Sequence, residues 1–290
     1  MDFLRLENTN YSRNWTLNIR GKLFTINRPI VMGIVNCTPD SFYVDSRMND
    51  FSTQKEQIDK HIKDGATWLD LGAYSTRPGA KHIDATIEIS RLEEAVNYCL
   101  TQYPNALISV DTFQEKVARK VLEMGVHAIN DISGGTLQPK ILNHVADYHV
   151  PYIQMHMRGT PATMQNKTSY NNVVKDVIFE LGEQIKIARK HGIHDIIIDP
   201  GFGFAKTVEQ NFELLSKLEL FKLLEAPILV GISRKSFIYK TLETTPEEAL
   251  NGTSVLHSFA LQKGANFLRC HDVKEACETI TLWEKLNGKS

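Results

Sequence analysis

The 290-residue sequence predicts an α/β fold, a single (β/α)₈ TIM barrel preceded by a short N-terminal β-hairpin. Three observations carry that expectation. Short, β-branched apolar runs alternate with stretches of helical spacing, eight times over. The runs are apolar throughout, as in parallel strands buried on both faces. Each run ends in polar residues or glycine, the pattern of a barrel whose strand ends meet at one mouth. An open sheet with the same alternation is the second choice.

In chain order, residues 15–27 place Leu17, Ile19, Leu23, Phe24 and Ile26 around Arg20-Gly21-Lys22, which reads as a hairpin covering the bottom of the barrel. The barrel then occupies about 30–286 of one domain. Its strands are read at 30–35, 67–72, 106–111, 126–131, 151–156, 196–199, 226–232 and 265–271. The helices between and after them are read at 51–65, 85–103, 113–124, 137–148, 170–191, 208–220, 246–263 and 272–286. The sharpest strand end is Ile196-Ile197-Ile198-Asp199, cut by Pro200-Gly201.

Composition narrows the partners. A hydrophobic fraction of 42% supplies one large core, while a net charge of -1 and a pI near 6.8 speak against nucleic acid and against a membrane-seeking basic face. The four cysteines, Cys37, Cys99, Cys270 and Cys277, show no Cys-x-x-Cys spacing, and neither a signal peptide nor a spanning apolar run is seen, so a reduced, cytoplasmic setting is expected.

The strand ends carry the chemistry. They collect Asn36, Thr76-Arg77, Asp111, Asn130, His156, Asp199, Ser233-Arg234-Lys235-Ser236, and Arg269 with His271. Any one of these alone reads as a loop or capping residue. Eight polar ends together do not, because a scaffold needs no such convergence. Arg269 and His271 are two apart and point the same way along a strand, leaving Leu268 and Cys270 to face the helices. With Asn36 and Arg77 they suit the oxygens of a phosphate group. Asp111, Asn130, Asp199 and Lys235 offer acceptors, an amide and one cation, which suits a heterocycle with an amidine-like edge and a carbonyl. Signatures of covalent hydrolases, zinc sites and Walker-type nucleotide sites are missing.

Six segments in order, Gly33–Phe42, Asp70–Gly79, Met155–Pro161, Asp199–Phe204, Ser233–Ser236 and Arg269–Val273, closely resemble the dihydropteroate synthase family. The resemblance spans Ile30 to Val273 and implies a (β/α)₈ transferase of folate biosynthesis. Such an enzyme joins p-aminobenzoate to hydroxymethyl-dihydropterin pyrophosphate, with Mg²⁺ as cofactor, is inhibited by sulfonamides, and is usually a homodimer. Carried over by position, the resemblance gives Asp111, Asn130, Asp199 and Lys235 to the pterin. It gives Thr76, Arg77, Pro78, Phe204, Lys235 and Ser236 to p-aminobenzoate. Asn36, Arg77, Arg269 and His271 fall to pyrophosphate, with Asn36 also the metal contact. Asn36, Asp111, Lys235, Arg269 and His271 form the catalytic set.

Two positions depart from the family pattern. The run Tyr43–Arg47 lacks the usual glycines around Asp45, and Ala205 stands where glycine is usual. The loops Thr38–Arg47 and Arg77–Ala85 are expected to close over the second substrate. Pterin-dependent methyltransferases, and a pterin-binding relative without synthase activity, are the alternatives.

Overall fold

Strand parity decides which side chains face the barrel axis in this chain. The computed structural model describes residues 14–38, 47–74 and 83–288. Strands β1 (Trp15–Ile19) and β2 (Lys22–Ile26) pair antiparallel. Arg20 at φ 53° and Gly21 at φ 83° make the tight two-residue turn between them, where positive φ matches the twist of the flanking strands.

Eight parallel strands follow: β3 (Ile30–Asn36), β4 (Trp68–Gly72), β5 (Leu107–Asp111), β6 (Ala128–Asp131), β7 (Tyr152–Met155), β8 (Ile196–Asp199), β9 (Leu229–Val230) and β10 (Phe267–Cys270). Their spatial order is β8-β7-β6-β5-β4-β3-β10-β9, and a parallel bridge from Ile198 to Ile228 brings β8 back to the segment of β9. The helices are α1 (Arg47–Lys63), α2 (Ala85–Gln102), α3 (Glu115–Met124), α4 (Ile141–Tyr148), α5 (Val173–Lys190), α6 (Val208–Ser216), α7 (Ser236–Thr241), α8 (Leu250–Gln262) and α9 (Val273–Leu286). The eight-stranded barrel and its hairpin are thus as expected.

Two local differences have simple causes. The seventh barrel strand is shorter than the apolar run 226–232, because Pro227 has no N–H to give the ladder and Gly231 has no side chain to pack. The short helix α7 is not legible in the sequence. Its six residues, Ser236–Thr241, fall below the length at which helical periodicity shows.

The apolar side chains sort into two layers. Val31, Leu69, Leu71, Ile108, Val110, Ile129, Ile196, Ile198, Val230, Leu268 and Cys270 face outward and pack with the helices. The opposite parity lines the barrel. Its lower part is filled by Met32, Trp68, Ala128, Ile153, Ile197, Leu229 and Phe267, closed from below by Leu17, Ile19 and Ile26 of the hairpin. Leu268 and Cys270 in the outer layer confirm the orientation expected for β10.

Candidate active site at the barrel mouth

Above the apolar plug, the same inward parity carries polar residues. On β4, Trp68 lies in the plug and Asp70, two residues on, rises above it. On β5, Ser109 and Asp111 follow; on β6, Asn130; on β8, Asp199; on β10, Arg269. A buried carboxylate demands partners, and Asp70, fully buried, has three. Ser109 Oγ donates to its Oδ1 at 2.6 Å, and its Oδ2 accepts from Asn130 Nδ2 at 2.8 Å and Arg269 Nε at 2.6 Å. Arg269 Nη2 also donates to Asp111 Oδ2 at 2.8 Å.

One guanidinium therefore bridges two carboxylates from neighbouring strands. Burial alone would lower the Arg269 pKa, but Asp70 and Asp111 outweigh it and hold the group charged. Asp111 is pushed up from the ordinary carboxylate range by burial and by Asp70, with Arg269 opposing. The cradle expected for phosphate oxygens is partly taken up from within the protein.

Across the mouth, Asp199 stands apart from that pair. Its Oδ1 accepts the Gly201 N–H at 2.7 Å, and its Oδ2 lies 3.7 Å from where a Cβ on Gly231 would stand. Glycine at the end of β9 thus leaves room beside the carboxylate. Burial raises the Asp199 pKa, opposed chiefly by Lys235. Lys235 in turn is pushed down to about 8 by burial, against Asp199 and Asp111. Its Nζ donates to the Phe202 carbonyl and sits 4.7 Å from the centre of the half-buried Phe204 ring. Ser236 follows as the first residue of α7, whose N-cap is Lys235 itself.

Asn36 is exposed at the end of β3, with its N–H donated to Gln57 Oε1 at 3.3 Å. His271 sits just past β10, its Nδ1 3.1 Å from Ser233 Oγ, and burial pushes it down to about 4. Thr76, Arg77, Pro78 and Asp45, with most of the loops 38–47 and 77–85, lie outside the described residues. His156 faces away from this cluster, toward Glu180 on α5. Among the described residues, no cluster of three or more His, Cys, Asp or Glu side chains is arranged to hold a metal. No described helix is long and apolar enough to cross a membrane.

The sequence profile of the pterin binding enzymes matches residues 32–271. A dihydropteroate synthase from Synechocystis is 42% identical over 262 residues, 89% of this chain and 90% of its own length. The chain belongs to the dihydropteroate synthase family of pterin-binding enzymes. Among solved structures, the Xanthomonas albilineans dihydropteroate synthase with 4-aminobenzoic acid superposes with a TM-score of 0.87 at 36% identity, covering 95% of this chain and 99% of that one. The Yersinia pestis dihydropteroate synthase in a sulfonamide drug complex gives 0.87 at 34% identity, covering 94% and 100%.

Asp70 is the site residue that a reading of strand ends misses. Such a reading takes the final residues, and Asp70 sits two before the end of β4. Parity is the signal that finds it, since Asp70 lies between Leu69 and Leu71, both of which face the helices. Lys206 is missed likewise as the start of a helix, yet it is only 5% exposed and folded into the loop after β8.

Proposed function

We propose that this chain condenses p-aminobenzoate with hydroxymethyl-dihydropterin pyrophosphate, and that the polar layer above the barrel plug divides the work. Asp199 carries the reading. It is a buried carboxylate with space beside it, hydrogen-bonded to the Gly201 N–H, and so is suited to accept two adjacent N–H donors of a pterin edge. Oδ1 keeps a second acceptor position after the Gly201 N–H has taken the first. Asn130, turned by Asp70, and Asp111, turned by Arg269, complete the ring's hydrogen-bonding perimeter. Lys235 lies between this pocket and Phe204, on which the arylamine packs with Ser236, Thr76, Arg77 and Pro78.

The chemistry is substitution at the pterin methylene. The bond from methylene carbon to pyrophosphate oxygen breaks, the pterin ring shares the positive charge left on carbon, and the neutral arylamine nitrogen attacks and then sheds a proton to water. An aromatic amine is a weak base, so no strong general base is required. The protein supplies position and field. Arg269, His271 and Asn36 serve the leaving group, to which the resemblance adds Arg77, with the Asp70–Arg269–Asp111 bridge fixing the guanidinium plane.

Mg²⁺ fits the donor set. Asn36 ends its strand exposed, and a neutral amide oxygen is a hard ligand for an ion that keeps several waters and binds mainly through substrate phosphates. When bound, Mg²⁺ neutralises charge on the pyrophosphate. A homodimer suits the exposed apolar residues Val255 and Phe259, one turn apart on α8. A cytoplasmic setting suits Cys37, Cys99, Cys270 and Cys277, which form no disulfide among the described residues.

Purified protein given both substrates and Mg²⁺ is expected to release pyrophosphate in proportion to dihydropteroate formed. Pterin binding without release would identify an inactive relative. Methyl transfer from a methylated pterin would identify a methyltransferase.

A further inference from the structure

The loop after β8 changes hand repeatedly, with Gly201, Gly203 and Ala205 at φ of 71°, 79° and 51°. Such a path is costly for a chain of L residues, and what holds it is a cation from its own end. Lys206 Nζ donates to the carbonyls of Gly201 at 2.9 Å and Phe204 at 3.0 Å, and lies 3.0 Å from His156 Nδ1. An ammonium has three donors, and these three acceptors use them all. His156 must then accept at Nδ1 and donate from Nε2, which lies 2.9 Å from Glu180 Oε2. Burial, reinforced by Lys206, pushes His156 down to about 4, so it is neutral, as that pattern requires. The carbonyls of Phe202 and Ala205 are met by Lys235 Nζ and by the Tyr170 hydroxyl at 3.0 Å. Four carbonyls within five residues are each held by a side chain.

The loop so held bears directly on the second-substrate pocket. Phe204 presents its ring beneath Lys235 Nζ, and a Cβ on Gly203 would lie 3.1 Å from Lys235 Cδ. A shift of the loop would move the Phe204 ring and the Lys235 stem together. We propose that Lys206 is a positioning residue for the arylamine half of the reaction, its buried ammonium holding residues 201–205 in the shape that sets Phe204 and Lys235 for p-aminobenzoate. The inference rests on the reading of Phe204 and Lys235 given above.

The surroundings make the clamp sensitive to pH. Burial pushes the Lys206 amine down to about 7, opposed by Asp199 of β8 and Glu180 of α5 and aided by Lys235 and Arg158. Loss of the ammonium removes one donor and leaves a carbonyl or His156 Nδ1 unmet.

The test compares wild type with Lys206→Met, which keeps the chain length and removes the charge. Full-length protein is assayed for KM of each substrate, kcat, pterin affinity and thermal midpoint from pH 6 to 9. The expected result is a rise in p-aminobenzoate KM of roughly tenfold or more, equivalent to losing about one charge-assisted hydrogen bond, and a smaller loss of pterin affinity, because Gly201 also holds Asp199. The part of the wild-type KM that rises above about pH 7 should be absent from Lys206→Met. Equal p-aminobenzoate KM in a folded Lys206→Met, or proportional loss for both substrates, overturns the role. If Lys206→Met does not fold, Tyr170→Phe loosens the same loop by one hydroxyl. A p-aminobenzoate KM raised about threefold then supports the role, and an unchanged one overturns it. A wild type that releases no pyrophosphate would defeat the functional reading and leaves this inference to direct p-aminobenzoate binding by wild type and Lys206→Met, where equal affinity overturns it.

Discussion

Replacing Asp199 by Asn separates recognition of the pterin from the stability of the fold. The Gly201 N–H, 2.7 Å from Oδ1, fixes how the new amide must sit. Asn keeps that bond only by placing its oxygen toward Gly201, which turns its NH₂ toward Gly231 and the pocket. A donor then faces the ring's donors. The lost charge-assisted contact amounts to about 1.5–3 kcal/mol, or roughly 10- to 150-fold in pterin affinity.

Stability should move the other way. Burial raises the Asp199 pKa above its unfolded value, so holding the carboxylate ionised costs stability that appears as pH rises through the unfolded pKa and is full above the folded one. The Asp199→Asn protein carries no such cost at pH 7. The assay is calorimetric titration of a pterin analogue against Asp199→Asn and Asp111→Asn, with thermal midpoints alongside. Near wild-type affinity in Asp199→Asn, with collapse in Asp111→Asn, would transfer the reading of the ring to Asp111 and refute the reasoning.

Asp70→Asn should weaken both pterin and pyrophosphate binding. It strips charge from a carboxylate that serves Arg269, Asn130 and Ser109 at once, and disrupting such a buried pair costs about 3–5 kcal/mol, readable as a lower urea midpoint. Gly201→Ala and Ala205→Gly should differ sharply in cost within one loop. A Cβ on Gly201 would stand 2.0 Å from the His156 carbonyl oxygen, so Ala there should cost more than about 3 kcal/mol or prevent folding. For Ala205→Gly, relief of a left-handed alanine offsets the lost buried methyl and the added chain entropy. The thermal midpoint should therefore stay within about 2 °C. His257 is buried and held down to about 4, chiefly by burial, so it stays neutral in the fold while the unfolded chain binds a proton below about 6.5. Stability is then lost as pH falls, by about 2 kcal/mol from this group at pH 5, and His257→Leu should lose less between pH 7 and pH 5 in guanidinium titrations.

The sequence by itself determined the architecture, because local rules suffice for it. Eight apolar runs such as Ile196–Ile198, each too short to be a helix and each cut by glycine, proline or a polar residue, leave few arrangements besides a barrel. It also named most of the residues at the mouth, since a polar group ending a buried strand is conspicuous in one dimension. The hairpin's place followed from its alternating Leu17, Ile19 and Ile26, and these do close the plug.

What the sequence left open were pairings between elements far apart in the chain. Asp70 and Arg269 are separated by 199 residues, and only the closing of the barrel sets β4 and β10 on either side of β3. That closure gave Arg269, expected as an anion binder, two carboxylate partners in Asp70 and Asp111. It also separated two strand-end acids that read alike in sequence, giving Asp111 a guanidinium and Asp199 an open side. Lys206 shows the same limit at shorter range. Its neighbours in sequence suggest a solvated helix start, while its partner His156, 50 residues earlier, draws the amine into the protein interior. Periodicity records which face of an element is buried. Which charge meets which is fixed by tertiary contact, because electrostatic pairing depends on distance in space, not on separation along the chain.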